Sequence, residues 1–236
     1  MSVIEHLDEL RFRLIVSIAA VVGGSIVAYI LYPSILGILR APLDEAGRIG
    51  DVTVTDLYLP GITTGFVLRI KVSAFAGIVF GLPVVLFQLW RFVTPGLEPQ
   101  EKRYAIPFVA SAVGLFALGA FVAFQIMPVG IEFLLGFVEP AKPLIQLPEY
   151  LNFVILMILA FGISFEFPLL LVFLALAGVI TSRTLATRRR LAVLMAFIVA
   201  AVATPSGDPL SQTVMALPLY ILYEASILVI RFVLKR

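Results

Sequence analysis

The 236-residue chain has no cysteine and a single histidine, His6. The missing cysteine excludes disulfide staples, thiol catalysis and thiolate metal sites, and is silent about compartment. One histidine leaves almost no material for a histidine metal centre or a catalytic triad. Charge is scarce too. Charged residues make up 14% of the chain, and seventeen cations against fifteen acids leave a net charge of +2, so no bulk field points to nucleic acid. The start, MSVIEHLDELRFRL, lacks the basic opening and small-residue cleavage site of a removable signal peptide, and the chain is expected to be complete as written. No internal repeat is found, so the inverted-repeat signature of many secondary transporters is missing.

Apolar residues are abundant: 61% of the chain, against about 45–50% in soluble domains even with glycine counted. Mean hydropathy is +1.09. A soluble globule of this size has too little interior to hide that surface, which excludes the soluble class. The apolar residues fall in six blocks that read as spans over 14–32, 72–93, 105–127, 151–177, 191–203 and 213–230, the fourth block continuing to 180. The fold class is therefore all-α: a polytopic membrane protein, a single domain of six transmembrane helices over 1–236, with the last two short. The 13 residues of 191–203 reach only about 20 Å against a hydrocarbon core of about 30 Å. They form either a re-entrant pair of half-helices with the last block, or two short full spans that thin the bilayer.

Six spans put both termini on one side. That side carries Arg11, Arg13, Arg91, Lys102, Arg103, Arg183, Arg188, Arg189, Arg190, Arg231, Lys235 and Arg236. The other has Arg40, Arg48, Arg69, Lys71 and Lys142, so the positive-inside rule makes the termini cytoplasmic. Trp90, Phe92 and Tyr104 suit the inner interface; Tyr29, Tyr32 and Tyr150 suit the outer. The outer segments 33–65 and 128–150 hold prolines 33, 42, 60, 128, 140, 143 and 148 and are expected to be ordered caps. Pro83, Pro107, Pro168 and Pro218 predict kinks within spans. Gly77 and Gly81 form a small-xxx-small pair suited to close helix contact.

Few residues are placed to carry function. Glu166 is the only ionisable group in its apolar run; it reads either as a membrane-depth functional acid or as a neutral carboxyl bonded to a neighbouring helix. Glu224 is expected to pair near Arg231 or face the headgroups. In HLDELRFRL, Glu5 and Glu9 share a helix face, with Asp8 alongside and Arg11 and Arg13 following. Glu9, and Glu101 at the start of the third span, either complement helix dipoles or converge to clamp a guanidinium-bearing ligand, each taking an arginine bidentately where lysine substitutes poorly. In TPSGDPLSQ, Asp208 either caps the last helix or serves function, with Ser211 and Gln212 in its first turn.

These segments together resemble the TatC family, the core membrane subunit of the twin-arginine protein translocase. The carriers are HLDELRFRL at 6–14, with Glu9 and Arg11 at the characteristic acid and arginine, and APL at 41–43. They continue with Phe92 to Leu97 with Glu101, Lys102 and Arg103, then FGISFEFPL at 161–169, and TPSGDPLSQ followed by ALPLYILYE. One residue more stands between Thr204-Pro205 and Asp208 than in many members. The resemblance implies a receptor in the cytoplasmic membrane of a bacterium or archaeon, not an enzyme, with no cofactor. It implies signal-peptide contacts at Glu9, Glu101, Arg11, Phe92, Pro95, Leu97 and Arg103, and intramembrane polar or partner contacts at Glu166, Gln212 and Asp208. Its partners would be twin-arginine signal peptides of folded precursors, the single-span subunits TatA and TatB, other copies of the chain and the lipid bilayer, with no nucleic acid. A concave bundle behind the site would accept the apolar stretch of the signal peptide.

Two rival classes compete on the residues. A proton-coupled small-solute transporter would use Glu166 as carrier, and predicts further charges or broken helices in paired positions. An intramembrane hydrolase has neither a histidine nor an aspartate within the apolar blocks to work with.

Overall fold

A computed structural model describes residues 3–49, 57–93, 105–136, 144–176, 178–203 and 209–232. Among these, nine helices follow one another: α1 (Val3–Ile30), α2 (Tyr32–Ile49), α3 (Thr64–Val93), α4 (Ala105–Leu135), α5 (Leu147–Phe165), α6 (Phe167–Leu176), α7 (Ser182–Thr187), α8 (Arg189–Ala203) and α9 (Pro209–Phe232). Five stretches are long and apolar enough to cross a membrane: His6–Ile30, Thr64–Phe92, Ile106–Leu135, Leu147–Leu176 and Gln212–Phe232. The short helix expected over 191–203 is α8, whose 15 residues give about 22 Å.

Three boundaries depart from the hydropathy reading. No breaker separates the polar start from the first apolar block, so α1 runs unbroken from Val3 and carries Glu9 on the same rigid rod as the span. The expected outer cap at 33–65 begins as helix: Pro33 sits in the first turn of α2, where its missing N–H is no loss, and Pro42 lies buried inside it. Pro128 likewise falls inside α4, which continues to Leu135 rather than ending at 127.

The chain divides into two compact units. The first is built on α1, α3 and the N-terminal part of α4. Helices α1 and α3 meet along a glycine seam. A Cβ on Gly77 would sit 2.6 Å from the backbone N and 2.7 Å from the Cα of Ser25, and one on Gly24 would meet the Gly77 carbonyl at 2.9 Å. Gly81 abuts Val21 less tightly, a Cβ there lying 3.2 Å from the Val21 Cα and N. Only glycine lets the two backbones approach so closely, and this gives the small-xxx-small pair its structural role. At one end of the seam the Arg69 guanidinium lies 4.2 Å from the Tyr29 ring centroid and 5.3 Å from that of Tyr32, and donates to the Tyr29 carbonyl at 3.1 Å. It thereby satisfies a carbonyl in the last turn of α1. Trp90 is buried against Phe108, centroids 4.3 Å apart. A parallel bridge joins Tyr58 to Gln146, and the Leu147 N–H donates to the Tyr58 carbonyl at 2.9 Å.

The second unit holds the remainder of α4 and helices α5–α9. Gly119 of α4 packs on Phe161 and Phe165, while the Phe116 ring fills the space over Gly162 of α5. Helix α6 ends at Gly178, whose φ of +75° suits glycine alone; Gly178 N–H bonds Ala175 O at 3.1 Å and Val179 N–H bonds Leu174 O at 2.9 Å, a Schellman stop. Thr181 then caps α7 through its Oγ1, which accepts from Thr184 N–H at 3.2 Å. Leu171, Ala175, Leu185, Tyr223, Ile227 and Ile230 form a common core for α6, α7 and α9.

Candidate functional site

In the first unit the N-terminal turns of α1 lie against the C-terminal turns of α3. Glu9 is half-buried, and Arg13, one turn later, donates from both Nε and Nη2 to Glu9 Oε1, the Nε bond at 3.1 Å. Arg13 Nη1 also reaches Gln88 Oε1 at 3.4 Å, which ties the pair to α3. Glu9 Oε2 is buried and has no hydrogen-bond partner among the described residues. His6 stacks on Phe92, centroids 4.6 Å apart with 23° between planes. One carboxylate oxygen is thus held in place while its twin is shut from solvent without a donor, a costly state that a donor would relieve.

Of the residues expected at this face, Glu9 is tied towards α3 through Arg13 and Gln88, Phe92 stacks on His6, and Arg11 is exposed. Pro95, Leu97, Glu101 and Arg103 lie outside the described residues. Arg13, Gln88 and His6 are not among the residues the sequence marks as contacts at this face. The i, i+4 spacing from Glu9 to Arg13 was the available signal.

Glu166 forms the break between α5 and α6. Its N–H turns back to Ile163 O at 3.1 Å, and Pro168, lacking an N–H, occupies the second position of α6. Its side chain borders a cleft of about 580 Å³ walled by α5, α6, α7, α8 and α9. Glu166 Oε1 is buried with no hydrogen-bond partner among the described residues, and Glu166 is the only acid among the lining residues. Gln212 lies half-buried in the first turns of α9; Asp208 is outside the described residues.

Glu224 does not pair with Arg231. Arg189 at the head of α8 donates from Nε at 2.7 Å and from Nη2 at 2.8 Å to its two oxygens, and the Tyr220 hydroxyl adds a third bond at 2.9 Å. The Glu224 carboxylate raises Arg189 further above its already high pKa, so this clamp between α8 and α9 stays ionised. Arg231 instead lies over the Phe232 ring at 5.6 Å. Among the described residues no three histidine, cysteine, aspartate or glutamate side chains gather as a metal site.

A family model described as Sec-independent protein translocase protein (TatC) matches residues 5–218. The chain belongs to the TatC family. The TatC of Aquifex aeolicus (strain VF5) is 38% identical over 231 residues, covering 96% of this chain and 93% of its own. The TatC of Campylobacter jejuni is 39% identical over 234 residues, with 96% and 92% covered. The TatC of Frankia casuarinae is 38% identical over 239 residues, and this chain spans 65% of its length. A crystal structure of the twin arginine translocase receptor TatC matches with a TM-score of 0.80 at 37% identity, over 98% of this chain and all of that one. TatC membership gives the chain a transport role and, with its apolar helices, makes it a multi-pass membrane protein.

Proposed function

We propose that this chain is the receptor for twin-arginine signal peptides and the core subunit of a Tat-type translocase, exporting folded proteins across the cytoplasmic membrane of a bacterium or archaeon. The observation that carries the reading is the half-satisfied Glu9 carboxylate, fixed by Arg13, with Oε2 lacking a donor among the described residues. A guanidinium supplies paired, charge-assisted N–H groups in one plane; an ammonium does not. Phosphate headgroups compete for the same arginines, so a receptor at the interface needs more than one such acid. Glu101 supplies the second, with Arg11, Phe92, Pro95, Leu97 and Arg103 around them, and both termini face the cytoplasm.

Glu166, with its own unpartnered oxygen, is the contact for a polar group on a single-span partner helix of the TatA or TatB type, assisted by Gln212 and Asp208. Other copies of the chain and the bilayer complete the assembly. The transporter alternative draws support from Glu166 alone; the cleft offers no second acid to pass a proton along.

The test is site-specific crosslinking of a signal peptide to the membrane-embedded protein, Arg-Arg against Lys-Lys, in wild type, Glu9→Ala and Glu101→Ala. The Arg-Arg peptide should crosslink near 92–103, and Lys-Lys or either alanine should abolish it. Equal binding in all combinations would reduce the acids to helix-end residues and move recognition elsewhere.

A further inference from the structure

The connection from α6 to α8 carries four exposed arginines within eight residues: Arg183, Arg188, Arg189 and Arg190. Arg189 is neutralised by Glu224. Among the described residues no carboxylate lies within ion-pair distance of Arg183, Arg188 or Arg190. Arg189 and Arg190 open α8, whose first turn contains no acid, so the positive end of that helix adds to the guanidinium charge instead of offsetting it. The local excess of positive charge calls for an anion.

Arg188 also borders the cleft at which Glu166 sits. From Arg188 the lining continues through Leu191, Ala192, Met195, Ala196 and Val199, one face of α8 at helical spacing, over roughly 16 Å. At about 580 Å³ the cleft falls within the roughly 300–1,000 Å³ of ligand-sized pockets, and beyond Arg188 and Glu166 its walls are almost wholly apolar. A cation at the head of an apolar trough matches a molecule with an anionic head and a hydrocarbon tail.

We propose that this cleft holds one anionic phospholipid from the adjacent leaflet, its phosphate on the Arg188 guanidinium and one acyl chain along the Leu191–Val199 face. Arg183 and Arg190 raise the local concentration of such lipids, as basic clusters beside membrane spans do. The lipid is the resting occupant of the trough, and any helix seeking Glu166 displaces it. This site shares no residue with the Glu9 face, so its failure leaves the receptor reading untouched.

Native mass spectrometry of the full chain, titrated with phosphatidylglycerol or phosphatidylcholine of matched chains, tests it. Wild type should retain one phosphatidylglycerol at least about tenfold more readily than phosphatidylcholine. Arg188→Gln should lower that retention about fivefold, from roughly one lipid-facing charge. Arg188 has no carboxylate partner among the described residues, so unchanged thermal stability of that variant confirms that the loss is of the ligand. Met195→Trp, which narrows the trough from a half-exposed position, should lower retention with all the arginines intact. Glycerophosphoglycerol, which has the headgroup without chains, should not displace the lipid. Equal retention of the two lipids, an unchanged Arg188→Gln, or displacement by the bare headgroup would each overturn the proposal, the last by showing a simple anion site.

Discussion

Gly77→Ala places one methyl group into the seam that carries the Glu9 face. The added Cβ would meet the Ser25 hydroxyl and, less yieldingly, its backbone N at 2.6 Å and Cα at 2.7 Å. The hydroxyl bonds the Val21 carbonyl at 2.8 Å and can turn away; the main chain cannot. Carbon atoms rest at roughly 3.5–4.0 Å, so α1 must withdraw from α3 by about 1 Å. A gap of that size forfeits between about a quarter and a half of each dispersion contact, and some tens of atom pairs at ~0.1–0.2 kcal/mol bring the loss to about 1–3 kcal/mol. Thermal unfolding in detergent, followed by fluorescence of Trp90, the chain's single tryptophan and itself in α3, reads the change directly. The melting temperature should fall, and binding of a twin-arginine peptide with it, because Gln88 and Phe92 are carried away from Arg13 and His6. Gly23→Ala is the control: nothing lies within 4 Å of its Cβ, and alanine in place of glycine should be neutral or add up to ~1 kcal/mol. Ser25→Gly should not rescue Gly77→Ala, since the obstruction is backbone. If the two alanine variants melt alike, or Ser25→Gly restores stability, the seam is not as close as described.

Two further substitutions address the second unit. Gly162→Ala drives a Cβ into the edge of the Phe116 ring and should cost about 1–3 kcal/mol in thermal stability; Phe116→Leu should recover part of it, because the obstacle is a side chain. Glu224→Gln removes the carboxylate that holds Arg189, so a cysteine pair engineered across α8 and α9 beside it should crosslink more slowly; the natural absence of cysteine leaves that readout without background.

Composition made the helical membrane fold legible because hydrocarbon forces every backbone group into internal pairing, and long apolar blocks then have few alternatives. The break at Glu166 was readable from Pro168, and the short α8 from its block length. The prolines misled where position mattered more than identity. Pro33 costs nothing in a first turn, while Pro42 and Pro128 are carried inside helices that packing maintains. Arg13 is readable from its spacing to Glu9, whereas Arg11 is implied only by the family resemblance and is exposed. The partner of Glu224 was hidden because it lies 35 residues upstream, across a hairpin whose register the hydropathy pattern does not report. Glu101 and its loop lie outside the described residues, so the pairing of the two acids rests on chemistry.

The bond from Leu147 N–H to the Tyr58 carbonyl closes a loop containing two full spans, α3 and α4. Its two ends can meet only if the chain has crossed the bilayer an even number of times between them. During synthesis Tyr58 leaves the ribosome first and waits, its carbonyl unclaimed, until α4 has threaded back and Leu147 arrives. A chain that inserts α4 in the wrong sense strands the two partners in separate water compartments, and no later rearrangement short of pulling a helix back out can join them. The small bridge at the start of α5 therefore closes only in molecules in which both intervening spans have crossed.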